Sequence, residues 1–65
     1  MKITLNGLER EITESGLDQA LRELSYCDGA IATAVNGEFI PKTQRLDIVL
    51  SEGDRIEVVA PMQGG

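Results

Sequence analysis

Apolar and polar side chains alternate along the first twelve residues, MKITLNGLEREI, as they do in half-buried β-strands. Asn6 and Gly7 interrupt this alternation, and both tolerate the positive φ angles of a type I′ turn. The segment therefore predicts an antiparallel β-hairpin with one aliphatic face and one charged face. The aliphatic face comprises Met1, Ile3, Leu5, Leu8 and Ile12.

The spacing of the apolar residues then changes to that of an amphipathic α-helix. The apolar positions i, i+3, i+4 and i+7 are Leu17, Ala20, Leu21 and Leu24. Ser15 is expected to cap the helix N-terminus, and Asp18 is expected to complement the helix dipole in the first turn. We expect the helix to end at Asp28 and Gly29 and to lie on one side of a sheet.

The middle of the chain predicts a second pair of strands around another Asn-Gly turn. A strand is expected at about 30–35, and the turn is expected at 36–37. The short segment 38–40 ends at Pro41, which cannot donate a ladder hydrogen bond. This segment is therefore expected at an edge of the sheet or where strand pairing ends.

The rest of the chain supplies one more strand. Residues 42–50 allow either a short helical turn or a loop, with apolar side chains that would cover the core: Leu46, Val49 and Leu50. A turn is expected at 52–54, and residues 55–60 then alternate as a strand. One face of that strand comprises Ile56, Val58 and Ala60. Pro61 is expected to end it.

The order strand, strand, helix, strand, short strand, strand predicts an α+β domain with one helix packed across a mixed sheet. The long connection between the first and last strands allows those two strands to lie side by side. This arrangement is the β-grasp, or ubiquitin-like, fold. We expect the domain to occupy residues 1–60 and residues 61–65 to form a flexible C-terminal tail that ends in Gly-Gly.

The size and composition of the chain argue against an independent enzyme. A chain of 65 residues needs nearly all of its large aliphatic side chains for the core, which leaves little volume for an enclosed substrate pocket. Histidine is absent and cysteine occurs once, so neither a histidine general base nor a His/Cys zinc site is available. We therefore expect no catalysis, no metal site and no cofactor bound by the chain itself.

The net charge of -5 disfavours nucleic acids and anionic lipid surfaces as partners, because both are negatively charged. No apolar run approaches the length that spans a membrane. Met1 leads directly into the first predicted strand, and a single cysteine allows no internal disulfide. We therefore expect a cytoplasmic protein that is a monomer when free.

Three features occur together in the chain: the segment AVNGEFIPK, the segment LSEGDRIEVV, and the final Gly-Gly. With the first Asn-Gly hairpin, they resemble the ThiS family of thiamine-biosynthesis sulfur carrier proteins along essentially the whole chain. Lys42 stands where many members of that family have arginine. The ending APMQGG is also similar to that of the small subunits of molybdopterin synthase, which leaves the pathway open.

The resemblance implies chemistry at the C-terminal carboxylate. A ubiquitin-activating-type adenylyltransferase would use ATP and Mg²⁺ to adenylate Gly65. A persulfide donor of the cysteine desulfurase or rhodanese type would then supply the sulfur of a thiocarboxylate, and thiazole synthase would use it. Met62, Gln63 and Gly64 would thread into the partner enzymes, since glycine has no Cβ and passes through a narrow channel.

Cys27 and the two aromatic residues have alternative interpretations. The Cys27 thiol could itself carry sulfur, but with no histidine to activate it we expect a small buried apolar residue. Tyr26 and Phe39 are expected to pack in the core. Alternatively, Phe39 forms an exposed apolar docking patch with Val59 and Met62 that leads to the tail.

Two other functions stay open from the sequence. One is the same sulfur carriage in molybdopterin synthesis or in another sulfur-transfer pathway. The other is a non-covalent β-grasp binding module, which would not need a free C-terminal carboxylate.

Overall fold

The computed structural model describes residues 1–26 and 31–60. Within these ranges the chain forms five β-strands, one α-helix and one 3₁₀ helix. In chain order they are β1 (Lys2–Leu5), β2 (Leu8–Glu11), α1 (Leu17–Glu23), β3 (Ala32–Val35), β4 (Glu38–Ile40), the 3₁₀ helix (Lys42–Asp47) and β5 (Arg55–Val59).

The strands form one mixed sheet in the order β2-β1-β5-β3-β4. The first and last strands, β1 and β5, lie next to each other at its centre and run parallel. The other neighbouring strands are antiparallel. The predicted α+β, β-grasp arrangement is confirmed, including the adjacency of the first and last strands and the edge position of β4.

The core lies between α1 and one face of this sheet. All four residues of the predicted helical stripe are buried: Leu17, Ala20, Leu21 and Leu24. They pack with Ile3, Leu5, Ile40, Ile56 and Val58 from the strands. Full burial of one large aliphatic side chain stabilises a fold by about 1.5–3 kcal/mol, so this one cluster is the main source of the domain's stability.

Both predicted Asn-Gly turns are present. Asn6 and Gly7 have φ angles of 50° and 85°, and Asn36 and Gly37 have φ angles of 52° and 85°. These values lie in the left-handed region that asparagine and glycine tolerate best. The turns therefore connect β1 to β2 and β3 to β4 as the sequence predicts.

The prediction that Ser15 caps α1 is wrong. Gly16 is the N-cap residue, and no side chain caps the helix there. The chain before α1 pairs with residues 48–50, since the Leu17 N–H donates to the Ile48 carbonyl (2.9 Å) and the Leu50 N–H donates to the Ser15 carbonyl (2.7 Å). This pairing holds Gly16 in extended backbone directly before the first helical residue, so Ser15 lies one residue too early to act as the cap.

Residues 42–50 contain the helical turn that the sequence allowed, but Leu46 and Val49 do not cover the core. Leu46 is 77% exposed and Val49 is 74% exposed, whereas Leu50 is buried. The inward position of the 3₁₀ helix is taken by Arg45. Residues 48–50 then alternate as extended chain, which turns Val49 outward between two inward neighbours.

Leu8 also departs from the prediction, because it is 69% exposed although it lies opposite the buried Leu5. Strand β2 forms one edge of the sheet, and all four of its residues are exposed. The last strand ends at Val59 instead of 60, and β3 begins at Ala32. The expected helix end at Asp28-Gly29 is wrong, because α1 ends at Glu23 and Leu24 is its C-cap residue. Ser25 follows with a φ of 76°, and the N–H groups of Ser25 and Tyr26 donate to the carbonyls of Arg22 and Leu21, which closes the helix.

Candidate functional site

The face of the sheet opposite α1 carries an exposed apolar patch. Alternation along β3, β4 and β5 turns Thr33, Ile40 and Val58 into the core and their neighbours outward. We call the outward apolar set the sheet patch; it consists of Ala32, Ala34, Phe39 and Val59. Cross-strand pairing brings these residues together, since Ala34 lies opposite Phe39 and Ala32 lies opposite Val59.

Phe39 and Val59 dominate the sheet patch. Phe39 is 62% exposed and Val59 is 64% exposed, so the expectation that Phe39 packs in the core is wrong. Tyr26, the other aromatic residue, is half-buried against the core. Single exposed apolar residues are ordinary on a protein surface, but an aromatic ring beside a contiguous apolar strip is typical of an interaction site.

The small side chains of Ala32 and Ala34 leave an open groove between Phe39 and Val59. Its volume is about 450 Å³, and its remaining walls include Asn6 and Glu57. The lining is mainly apolar, with one carboxylate on one side. Such a shape suits a protruding apolar side chain from another protein better than an enclosed small molecule.

Asn6 lines the groove and hydrogen-bonds to Val58 near the end of β5. Its side-chain Oδ1 accepts a hydrogen bond from the Val58 N–H (2.8 Å), and its Nδ2 donates to the Val58 carbonyl (3.2 Å). The Asn6 N–H donates to the Ile56 carbonyl (2.9 Å). The side-chain amide thus continues the parallel β1–β5 pairing beyond the last residue of β1.

Asn36 plays the corresponding part at the start of β5. Its Oδ1 accepts from the Arg55 N–H (2.9 Å), and its Nδ2 donates to Asp54 Oδ1 (3.0 Å). The other carboxylate oxygen of Asp54 accepts from the Ser51 N–H (2.7 Å). The sequence predicted both asparagines as turn formers but gave no sign of this second role, because their partners are distant along the chain.

The residues predicted to take part in sulfur transfer follow the sheet patch in the sequence. Val59 is the last residue of β5, and Ala60 is the last residue that the structure describes before the C-terminus. Met62, Gln63, Gly64 and Gly65 lie outside the described residues, as does Cys27. Val59 therefore belongs both to the sheet patch and to the last described strand before residues 61–65 of the sequence.

Two carboxylates with shifted pKa values lie away from the sheet patch. The Met1 amino group donates to Glu11 Oε2 (2.9 Å), which lowers the pKa of the Glu11 carboxyl and raises that of the amino group. The Glu23 carboxylate accepts from the backbone N–H groups of Thr13 and Glu14, and these bonds lower its pKa. Neither group lines the groove.

The part of the chain that the structure describes holds no group of three or more His, Cys, Asp or Glu side chains that could bind a metal ion. Within the same ranges, none of its helices has both the length and the apolar character needed to cross a bilayer.

Comparison with known proteins places the chain in a family. The family model described as "ThiS family" matches residues 3–65. The chain belongs to the ThiS family. The match covers both Asn-Gly turns, the sheet patch and the Gly-Gly ending, so it includes all of the candidate site.

A crystal structure of a thiamine biosynthesis protein, ThiS, from Geobacter metallireducens is similar along the full length of both chains. The TM-score is 0.84, and the sequences are 25% identical. A curated thiazole synthase from Paramagnetospirillum magneticum is 35% identical over 66 residues, which cover 100% of this chain. The chain spans about one fifth of the length of that relative, since the match covers 20% of it.

Proposed function

We propose that this ThiS-family chain is a sulfur carrier of thiamine biosynthesis, with Gly65 as the residue that carries the sulfur. The observation that carries the proposal is the family match, which extends through the final Gly-Gly. The similarity to a ThiS thiamine biosynthesis protein of known structure supports it. The chain then acts as a co-substrate of partner enzymes in the cytoplasm instead of as a catalyst.

The chemistry begins at a carboxylate, which resists nucleophilic attack because of its charge and resonance. An oxygen of the Gly65 carboxylate attacks the α-phosphate of Mg²⁺-bound ATP in a ubiquitin-activating-type adenylyltransferase, and pyrophosphate leaves. The acyl-adenylate now has a good leaving group. The terminal sulfur of a persulfide attacks the acyl carbon and displaces AMP, and a second thiol cleaves the resulting acyl disulfide to release the thiocarboxylate.

The sheet patch is the proposed docking surface for the adenylyltransferase. An aromatic anchor beside a groove can supply a large share of binding energy when a partner covers it. Phe39 and Val59 offer such an anchor next to the base of the tail. Gly64 and Gly65 carry no Cβ, so the backbone behind the carboxylate would fit a channel that excludes side chains.

Thiazole synthase is the proposed acceptor of the sulfur. The supporting observation is the relative called a thiazole synthase, in which a segment similar to this entire chain makes up about one fifth of the protein. We propose that the longer protein combines a sulfur carrier and a thiazole synthase on one polypeptide. This chain would then supply the sulfur to a thiazole synthase that is a separate protein.

The test is an intact-mass measurement after incubation with ATP, Mg²⁺, sodium sulfide and the adenylyltransferase of the thiamine pathway. We expect the mass increase of one oxygen replaced by sulfur, located at Gly65 by fragmentation. A matched control with one alanine added after Gly65 should stay unchanged, and Cys27→Ser should react like the wild type. Modification only by the molybdopterin-pathway adenylyltransferase would assign the chain to that pathway, and modification by neither would contradict the carrier function.

A further inference from the structure

A second recess lies on the helix side of the molecule, between α1 and the 3₁₀ helix. Its volume is about 410 Å³. Three of the six basic side chains of the chain line it, namely Arg22, Lys42 and Arg45. Such a concentration of positive charge is unexpected in a chain with a net charge of -5.

Arg45 is the central feature of this recess, because it is only 7% exposed. Its Nη2 donates a hydrogen bond to the Ile31 carbonyl (2.7 Å). Its Nε is buried and has no hydrogen-bond partner among residues 1–26 and 31–60. A guanidinium keeps its charge at physiological pH, so this site holds a poorly solvated cation with an unused donor.

The carboxylate in the recess does not balance that charge. Asp18 also lines the recess, but its Oδ2 accepts from Arg22 Nε at 3.4 Å, so these two side chains neutralise each other. Within the described ranges neither Lys42 nor Arg45 has a carboxylate oxygen within 4.0 Å. Among residues 1–26 and 31–60, no carboxylate therefore pairs with the two positive charges around this recess.

The remaining lining is apolar and includes Leu21, Tyr26 and Leu46. Two adjacent cations with several N–H donors match a phosphate dianion better than a single carboxylate, since lysine and arginine both bind phosphate oxygens. The apolar wall offers contact area to an organic group attached to that phosphate.

We propose that this recess binds a phosphate group, supplied either by inorganic phosphate or by a small phosphate monoester. Lys42 and Arg45 provide the attraction, and the partial enclosure of the recess limits screening by water and salt. This site lies on the opposite side of the sheet from the sheet patch, and its ligand binding does not depend on sulfur carriage.

The experiment is a titration of the ¹⁵N-labelled chain with phenyl phosphate at constant ionic strength and pH, followed by amide chemical shifts. We expect saturable shifts concentrated in residues 17–23 and 42–47. Inorganic phosphate and benzoate form the parallel arms. Tighter binding of phenyl phosphate than of inorganic phosphate assigns the site to a monoester, and equal binding assigns it to free phosphate. Benzoate that binds as tightly as either would overturn the assignment to phosphate.

Two variants locate the binding energy. Lys42→Gln should weaken binding about tenfold, the effect of losing one charge-assisted contact of about 1.4 kcal/mol. Because the Lys42 side chain is exposed, this variant should fold as the wild type does. Arg45→Met should abolish saturation; its amide spectrum is compared with that of the wild type to establish that the variant is folded, because the substitution also removes the hydrogen bond to the Ile31 carbonyl. Arg10→Gln is the control with the same change in net charge. An equal loss of affinity in Arg10→Gln, or wild-type shifts that never saturate, would contradict phosphate binding in this recess.

Discussion

The side-chain amide of Asn6 hydrogen-bonds both the N–H and the carbonyl of Val58, at 2.8 and 3.2 Å. The side chain of an asparagine that the sequence places in a local turn thus adds two hydrogen bonds to the pairing of β1 with β5. The bond fixes the strand β5 close to the point where the chain continues into its C-terminal residues. Asn6 also lines the groove of the sheet patch, so one residue joins the turn, the central strand and the proposed docking surface.

Asn6→Gly tests how much this contact stabilises the domain. Glycine keeps the positive φ of the turn but loses both side-chain hydrogen bonds to Val58. We expect the free energy of unfolding to fall by about 1–3 kcal/mol, the usual cost of leaving part-buried backbone groups without partners. Urea unfolding measures the change, and hydrogen exchange should show faster exchange of the Val58 amide.

Asn6→Asp separates the two bonds of that contact. Aspartate accepts from the Val58 N–H as asparagine does, but its carboxylate cannot donate to the Val58 carbonyl and repels it. We expect this variant to be less stable than the wild type while the Val58 amide stays protected. Wild-type stability in both variants would show that the contact adds nothing to folding.

The elements that the sequence predicts well depend on local signals. The two Asn-Gly turns follow from the φ preferences of asparagine and glycine. The helical stripe from Leu17 to Leu24 follows from its spacing, and all of its members are buried. The adjacency of β1 and β5 follows from the order of the elements.

The features that the sequence does not predict depend on partners far along the chain. Gly16 replaces Ser15 as the helix cap because residues 48–50 pair with the chain before the helix. Asn6 contacts Val58, which lies 52 positions away. Arg45 points inward and Leu46 outward because a 3₁₀ helix has its own period, which one short turn does not reveal in the pattern of apolar residues.

Phe39→Ala tests the sheet patch as the docking surface. Because the Phe39 side chain is 62% exposed, its loss should change the free energy of unfolding by no more than about 0.5 kcal/mol. Loss of an aromatic anchor should weaken binding to the adenylyltransferase by about 2 kcal/mol or more, roughly thirtyfold in Kd. Isothermal titration calorimetry and urea unfolding measure the two quantities.

Leu46→Ala is the matched control for Phe39→Ala. Leu46 is also a large exposed apolar residue, 77% exposed, but it lies on the 3₁₀ helix away from the sheet patch. We expect its Kd to equal that of the wild type. An equal loss of affinity in both variants would remove the sheet patch as the specific contact.

Glu23→Gln tests a contact between the last residue of α1 and the chain that precedes the helix. The Glu23 carboxylate accepts from the N–H groups of Thr13 and Glu14 and from the Thr13 hydroxyl, at 3.0–3.1 Å. These bonds lower the pKa of Glu23 in the folded state. The carboxylate therefore stabilises the fold fully above its unfolded pKa, and this contribution is lost as the pH falls through the lower folded pKa.

The measurement for Glu23 is the free energy of unfolding of both proteins between pH 7 and pH 3. We expect the wild type to be the more stable protein near neutral pH and the difference to shrink as the solution becomes acidic. Glu38→Gln serves as the control, since Glu38 is exposed and accepts no hydrogen bond from another described side chain. A difference between wild type and Glu23→Gln that stays constant across the range would contradict this role of the charge.

Gly64→Ala and Gly53→Ala distinguish an effect on sulfur loading from an effect on the stability of the fold. Gly53 has a φ of 87°, which a side chain rarely adopts, so Gly53→Ala should destabilise the domain by about 1 kcal/mol and leave sulfur loading of the folded fraction unchanged. Gly64→Ala should leave urea unfolding unchanged but slow thiocarboxylate formation at least tenfold, because a Cβ would meet the walls of a channel shaped for glycine. Intact mass spectrometry over a time course measures the loading rates. Normal loading of Gly64→Ala would show that the tail is not threaded through a side-chain-free channel, even if Gly65 is the site of sulfur attachment.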